Sequence, residues 1–271
     1  MQDITYVSEN YSSNKSKDYR LSISVRRDGF SFLLVHKRTQ EVMAYAYNIV
    51  PPDYRNEGFK QFLNQKIFQE TFGAVTIIIV SPNFTLVPKK FYDDTLLQDY
   101  SQLNFEKSES ESIITYESFN TDAVVLFPID TTIWALCRTA FRNQEMVSYV
   151  PQVAPMIESG VKKREEKLMI SVENDFFTAV YVRSKELRFA NTFSFSNIDD
   201  FTYYIMNIVQ QLQLDVLQVA IEMSGKITPK SPYFSAIQTY VKNVRMAENP
   251  VKLPRFPYML FLNHCNISLC E

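Results

Sequence analysis

The chain has 271 residues, a formal net charge of -2, 46% apolar and 21% charged residues, enough to build globular cores without disulfides or metals. So balanced a charge argues against a protein whose main task is gripping nucleic acid or an anionic membrane, and no apolar run approaches the ~18 to 20 residues of a membrane helix. Its five glycines, where roughly 19 would be usual, weigh against a hydrolase that wraps phosphates in backbone.

Residues 1–18 are polar, rich in Ser, Asn and Lys, and are expected to form a loose arm. From Leu21 the pattern changes. Leu21-Ser22-Ile23-Ser24-Val25 alternates with the period of a half-buried strand, and Asp28-Gly29 supplies a tight hairpin turn. Phe30 to Val35 and Glu41 to Asn48 read as the next two strands. Phe59, Phe62, Leu63 and Ile67 mark one apolar face of a helix. Ala74 to Val80 is a short β-branched run, the composition of a strand covered on both faces.

A less regular stretch follows. It predicts a short helix near Phe91 to Tyr100, an exposed acidic loop from Glu106 to Ser112, and strands at Ile113 to Phe119 and Ala123 to Phe127. A helix at Thr131 to Phe141, a strand at Met146 to Val150 and a helix near Pro151 to Ser159 complete this half. Lys162 to Lys167 reads as a solvated charged joint, because its signs are mixed.

The opening pattern then returns 147 residues later, where Leu168 to Thr178 aligns without a gap on Leu21 to Ser31. A third strand is expected from Glu186 to Phe195. A helix capped by Ser196 or Asn197 carries Phe201, Ile205, Ile208, Val209 and Leu212 on one face. Val216 to Met223 is the next apolar strand. Ser231-Pro232 announces a helix to about Val241, and a short strand near Val244 to Ala247 precedes an apolar ending from Phe256. Amphipathic hairpins share letters easily; the repeated order strand, strand, strand, helix, strand is what argues for internal duplication. The expected division is an N-terminal lobe over 1–165 and a C-terminal lobe over 166–271.

This duplicated unit, with an aspartate at the first hairpin of each copy, resembles the actin-like ATPase fold: α/β, two lobes, each on a ribonuclease H-like β-β-β-α-β unit. More closely, the chain resembles a bacterial family known mainly from the Bacteroidetes, domain of unknown function 3822. The residues carrying that resemblance are Leu21 to Phe32, Phe84-Thr85-Leu86-Val87-Pro88 and the ending Leu269-Cys270-Glu271. The superfamily resemblance implies candidate nucleotide-site residues: Asp28, Gly29 and Ser31 on the first hairpin, Asp175 and Thr178 on the second, and Gly225 for the adenosine. The chemistry needs glycine, since any side chain holds the backbone away from a phosphate. In this sequence Asp28 and Gly29 are adjacent, the second hairpin reads Asp175-Phe176-Phe177-Thr178 without glycine, and the adenosine-binding Gly-Gly is reduced to Gly225. These departures predict a protein of unknown cellular role that is a non-catalytic scaffold or protein-binding module, with no cofactor and no catalytic residue. The alternative is an atypical nucleotide-binding protein or Mg-dependent phosphotransferase or ATPase, using ATP with Asp28 or Asp175.

Other chemistries have little footing. Three cysteines (Cys137, Cys265, Cys270) and two histidines (His36, His264) are a thin supply for a metal, and the clustered His264, Cys265 and Cys270 lack a fourth ligand. No G-x-S-x-G, Walker or dinucleotide fingerprint occurs. The odd cysteine count and an N-terminus without a basic start or apolar stretch predict a reduced, cytoplasmic protein. The high aromatic content, 14%, could supply contact surface for a partner protein, although most of it should be core.

Overall fold

The computed structural model describes residues 4–117, 121–162 and 166–248. In chain order the first part forms β1 (Ile4–Val7), β2 (Tyr19–Arg26), β3 (Gly29–His36), β4 (Val42–Ile49), α1 (Arg55–Leu63) and β5 (Ala74–Ile79). Then come β6 (Thr85–Pro88), α2 (Leu97–Asn104), β7 (Glu111–Glu117), β8 (Ala123–Asp130), α3 (Thr131–Ala140) and β9 (Val147–Pro151). The second part forms α4 (Val153–Lys162), β10 (Lys167–Val172), β11 (Phe176–Arg183), β12 (Glu186–Ser194), α5 (Ile198–Gln211), β13 (Ala220–Gly225), α6 (Pro232–Gln238) and β14 (Asn243–Met246).

The residues group into two compact units, 4–117 with 122–152, and 153–248. The first holds a six-stranded sheet, β1-β4-β3-β2-β5-β9, and a separate antiparallel sheet, β6-β8-β7. The second holds one sheet, β12-β11-β10-β13-β14. Without β1, the two main sheets have the same strand order, and in both the first three strands are antiparallel and the last two join in parallel. The register repeats as well. Leu21 lies opposite Leu34, and Leu168, 147 positions on, opposite Tyr181. The pairing with the third strand slips at Leu34/Val35 in one sheet and at the equivalent Tyr181/Val182 in the other. A bulge at the equivalent position of both sheets is a specific feature, since bulges re-aim a strand.

Each core lies on one face of its sheet. Leu21, Ile23, Val25, Phe30, Phe32 and Leu34 meet Phe59 and Phe62 of α1 and Ile133 and Cys137 of α3. Phe30 and Phe59 approach to 4.7 Å between ring centroids, a distance favourable for aromatic pairs. In the second unit Leu168, Ile170, Phe177, Ile221 and Met223 pack under Phe201, Ile205 and Ile208 of α5 and Phe234 and Ile237 of α6. The opposite face of that sheet meets α4, where Gly160 sits against Met169 and Val182.

Several expectations are corrected. Part of 1–18 is no loose arm: Ile4–Val7 pairs antiparallel with β4, Tyr6 stacks on Tyr45, and Ser13–Asp18 forms a 3-10 turn. An Ile-Thr-Tyr-Val stretch has strong strand propensity, and β4 offers it an edge. Ser22 and Ser24 are buried, so the alternation marks a strand covered on both faces rather than one half in water. The Ser22 hydroxyl is satisfied locally, donating to the Leu33 carbonyl at 3.3 Å, whereas the Ser24 Oγ is buried without a hydrogen-bond partner among the described residues. Lys167 is not part of a solvated joint; it opens β10 with 2% exposure. The helix Val153–Lys162 groups with the second unit, through its packing on β10, β11 and β12. Asn197, not Ser196, caps α5, accepting from the Asp200 N–H at 2.9 Å. The ending from Phe256, with His264, Cys265 and Cys270, lies outside the described residues. Among the described residues no helix is long and apolar enough to cross a membrane.

Candidate functional site

The six candidates lie on three short segments. In the first unit, Arg26 pairs with Gly29, so the hairpin loop is Arg27-Asp28 and Gly29 already belongs to β3. The Asp28 carbonyl accepts from the Val50 N–H at 3.0 Å, tying the turn to the end of β4. Gly29 has φ +153°, and a Cβ there would stand 2.1 Å from the Asn48 carbonyl oxygen. This glycine is required by the neighbouring strand's approach. Ser31 is buried, and its Oγ accepts from Nη1 of the buried Arg26 at 2.8 Å.

In the second unit the loop is Asn174-Asp175, closed by the Glu173 N–H donating to the Phe176 carbonyl at 2.8 Å. The Asp175 carbonyl accepts from the Phe195 N–H at 3.0 Å, repeating the tie made by Asp28. Both aspartates therefore hold the third strand of their sheets through the main chain. Phe176 stands at the position of Gly29 and is buried. Phe177 turns into its own core against Phe193 and Phe201. Thr178 is completely buried in β11.

Gly225 ends β13 at φ +85°, where a Cβ would lie 2.1 Å from the Val172 carbonyl oxygen. That same oxygen accepts from the Lys226 N–H at 2.7 Å. Gly225 thus lets β13 close on β10 beside the second hairpin. Next to it, Lys226 Nζ stands 3.5 Å from Glu173 Oε2, both side chains being largely buried. Sequence reasoning missed this pair. Its signal is present, because the gapless alignment sets Glu173 on Arg26, an opposite charge at one position of the two hairpins.

A second buried ionic group lies on the same sheet. Glu222 uses both oxygens, one at 2.9 Å from Lys167 Nζ and the other at 2.7 Å from Arg245 Nη2. Burial pushes the Glu222 carboxyl up, but hydrogen bonds and charge from Lys167 and Arg245 outweigh this and hold it below its ordinary value. Among the remaining candidates, burial raises the Cys137 thiol to about 12, so it is no nucleophile at neutral pH. His36 Nδ1 faces the backbone N–H groups of Arg38 and Thr39 at 3.2 Å, a turn contact. No group of three or more His, Cys, Asp or Glu that could hold a metal ion occurs among the described residues.

The strand order of the main sheets and the paired hairpins define an actin-like ATPase fold. The chain belongs to the family described as "Protein of unknown function (DUF3822)", whose model matches residues 8–244. A Bacteroides thetaiotaomicron protein with an actin-like ATPase fold and unknown function is 21% identical, the match covering 96% of this chain and 99% of that one at a TM-score of 0.83. The PilM-PilN type IV pilus biogenesis complex matches at 12% identity, covering 93% and 98% of the two chains at a TM-score of 0.58. The ethanolamine utilization protein EutJ from Carboxydothermus hydrogenoformans matches at 7% identity, covering 93% and 90% at a TM-score of 0.55. No curated protein matches in sequence.

Proposed function

We propose that this protein is a non-catalytic, cytoplasmic scaffold or protein-binding module on an actin-like fold. The observation that carries the reading is the state of the second hairpin: buried Phe176 replaces the glycine a phosphate needs, and Lys226 lies against Glu173 beside it. Phosphoryl transfer depends almost entirely on positioning and electrostatics, and a hairpin without a free backbone approach offers little of either. Gly29 and Gly225, the two candidates with the right chemistry, are both committed to strand-to-strand approach. The PilM-PilN neighbour supports the binding side of the reading, as a case in which this fold takes part in a protein complex.

The test is calorimetric titration with Mg-ATP, together with a phosphate-release assay. A flat trace and release no higher than a no-enzyme blank are expected. Saturable micromolar binding, or release that Asp28→Ala abolishes, would instead establish the nucleotide-dependent alternative.

A further inference from the structure

On the first unit α3, β9 and β7 enclose an open cleft of about 540 Å³, within the size range of ligand sites. Cys137, Phe141 and Val147 form its apolar base, with Trp134, Tyr149 and Ile114 around them and Arg138 and Arg142 at the mouth. Three features of it are chemically unfinished. Arg138 in the last turn of α3 and Arg142 just past the helix end are exposed, and neither pairs with a carboxylate among the described residues; Arg138 instead lies over the Trp134 ring at 5.6 Å. The Tyr149 hydroxyl is buried and makes no hydrogen bond of good geometry, although Trp134 and Arg138 lie beside it. Burial pushes that hydroxyl well up, so it remains a donor.

The third feature is the strand edge. Among the described residues β9 is the last strand of its sheet. Val75 N–H donates to the Met146 carbonyl and Gln152 N–H to the Ile79 carbonyl, so by the alternation of a parallel ladder the main-chain groups of Val147 and Tyr149 face away from β5. Together these features call for an occupant with an extended backbone, an apolar side chain and a negative charge. A free small acid would meet the arginines and leave the edge unused.

We propose that this cleft docks a short extended segment of a partner protein, in which an aromatic or branched apolar side chain is flanked by carboxylates. The apolar side chain rests on Trp134, Phe141 and Val147. The carboxylates meet the guanidinium forks of Arg138 and Arg142, and the backbone follows the β9 edge. The assignment rests on the protein-binding reading and gives it a location and a partner chemistry.

Trp134 is the chain's single tryptophan, so its fluorescence reports on this cleft alone. The full chain is titrated with a capped hexapeptide alternating Glu with Phe and Leu, with the same peptide carrying Lys for Glu, and with phenylacetate. Saturable change with the acidic peptide is expected, with at least about tenfold weaker binding of the other two. Arg138→Glu combined with Arg142→Glu should weaken the acidic peptide by about tenfold or more while leaving Tm near wild type, since both side chains are exposed. No response to the acidic peptide, an equal response to the lysine peptide or phenylacetate, or indifference to the double substitution overturns the assignment. A flat peptide titration leaves the non-catalytic reading standing, whereas Mg-ATP binding would overturn that reading without touching the cleft result.

Discussion

Glu222→Ala is expected to cost about 3 to 5 kcal/mol, because it strands a buried cation. Lys167 is 2% exposed and its Nζ has Glu222 Oε2 at 2.9 Å. Arg245 is more than half exposed and can turn to water, so the loss falls on the lysine. Glu222→Gln keeps the shape and part of the hydrogen bonding and should cost less, about 1 to 3 kcal/mol. The pH dependence has a definite sign. The folded-state carboxyl of Glu222 lies below its ordinary 4.5. Its contribution is therefore full above the unfolded carboxylate range and is lost as pH falls through the lowered folded value. Urea unfolding at neutral pH, repeated at steps below pH 4.5, should show wild type losing an increment of stability that Glu222→Gln lacks. A Glu222→Ala protein within about 1 kcal/mol of wild type would show that Lys167 finds another partner or is uncharged.

The hairpins and their order were legible because strand chemistry is local. Leu21 to Ser31 and Leu168 to Thr178 carry the same alternation, and β2–β3 and β10–β11 pair in the same register. What sequence could not supply was the second face of each sheet. A serine or lysine in a strand reads as solvent-facing, yet Ser22, Ser24 and Lys167 are all buried. In the second unit that face is covered by α4, which groups with the sheet that follows it. The strand Ile4–Val7 was missed for a similar reason, since four residues in a polar arm become a strand only where an edge accepts them.

The candidate site was legible as residue types and not as roles. Asp28 and Asp175 were singled out for their carboxylates, yet their carbonyls make the equivalent ties to Val50 and Phe195. Main-chain roles leave no mark on residue identity. The missing glycine of the second hairpin is visible in the sequence, but only the two-residue period of β11 shows that Phe177 turns into the core and leaves Phe176 on the opposite face. The Trp134 cleft gave no sequence signal because it joins a helix, a sheet edge and a strand of a different sheet.

Gly29→Ala separates structural from ligand-binding glycine, and it should cost about 2 to 4 kcal/mol. The added Cβ would stand 2.1 Å from the Asn48 oxygen and 3.1 Å from the Ile49 Cα. Neither atom belongs to a flexible side chain, so relief requires β3 and β4 to separate. That separation strains the 3.0 Å bond from Val50 N–H to the Asp28 carbonyl, the tie that sets the hairpin. The φ of +153° adds backbone strain for any side chain. Gly58→Ala is the control: the atoms nearest its Cβ are Val50 side-chain atoms, at 2.6 to 3.4 Å, rather than backbone, and alanine favours helix α1. That variant should remain within about 1 kcal/mol of wild type, the overlap and the propensity gain opposing each other. Denaturant unfolding of wild type and both variants, with and without Mg-ATP, makes the distinction. A glycine kept for phosphate approach would leave stability nearly unchanged on substitution and remove a nucleotide-dependent increment. A glycine kept for strand approach loses the same stability in either buffer, and the close contact with Asn48 predicts that second result.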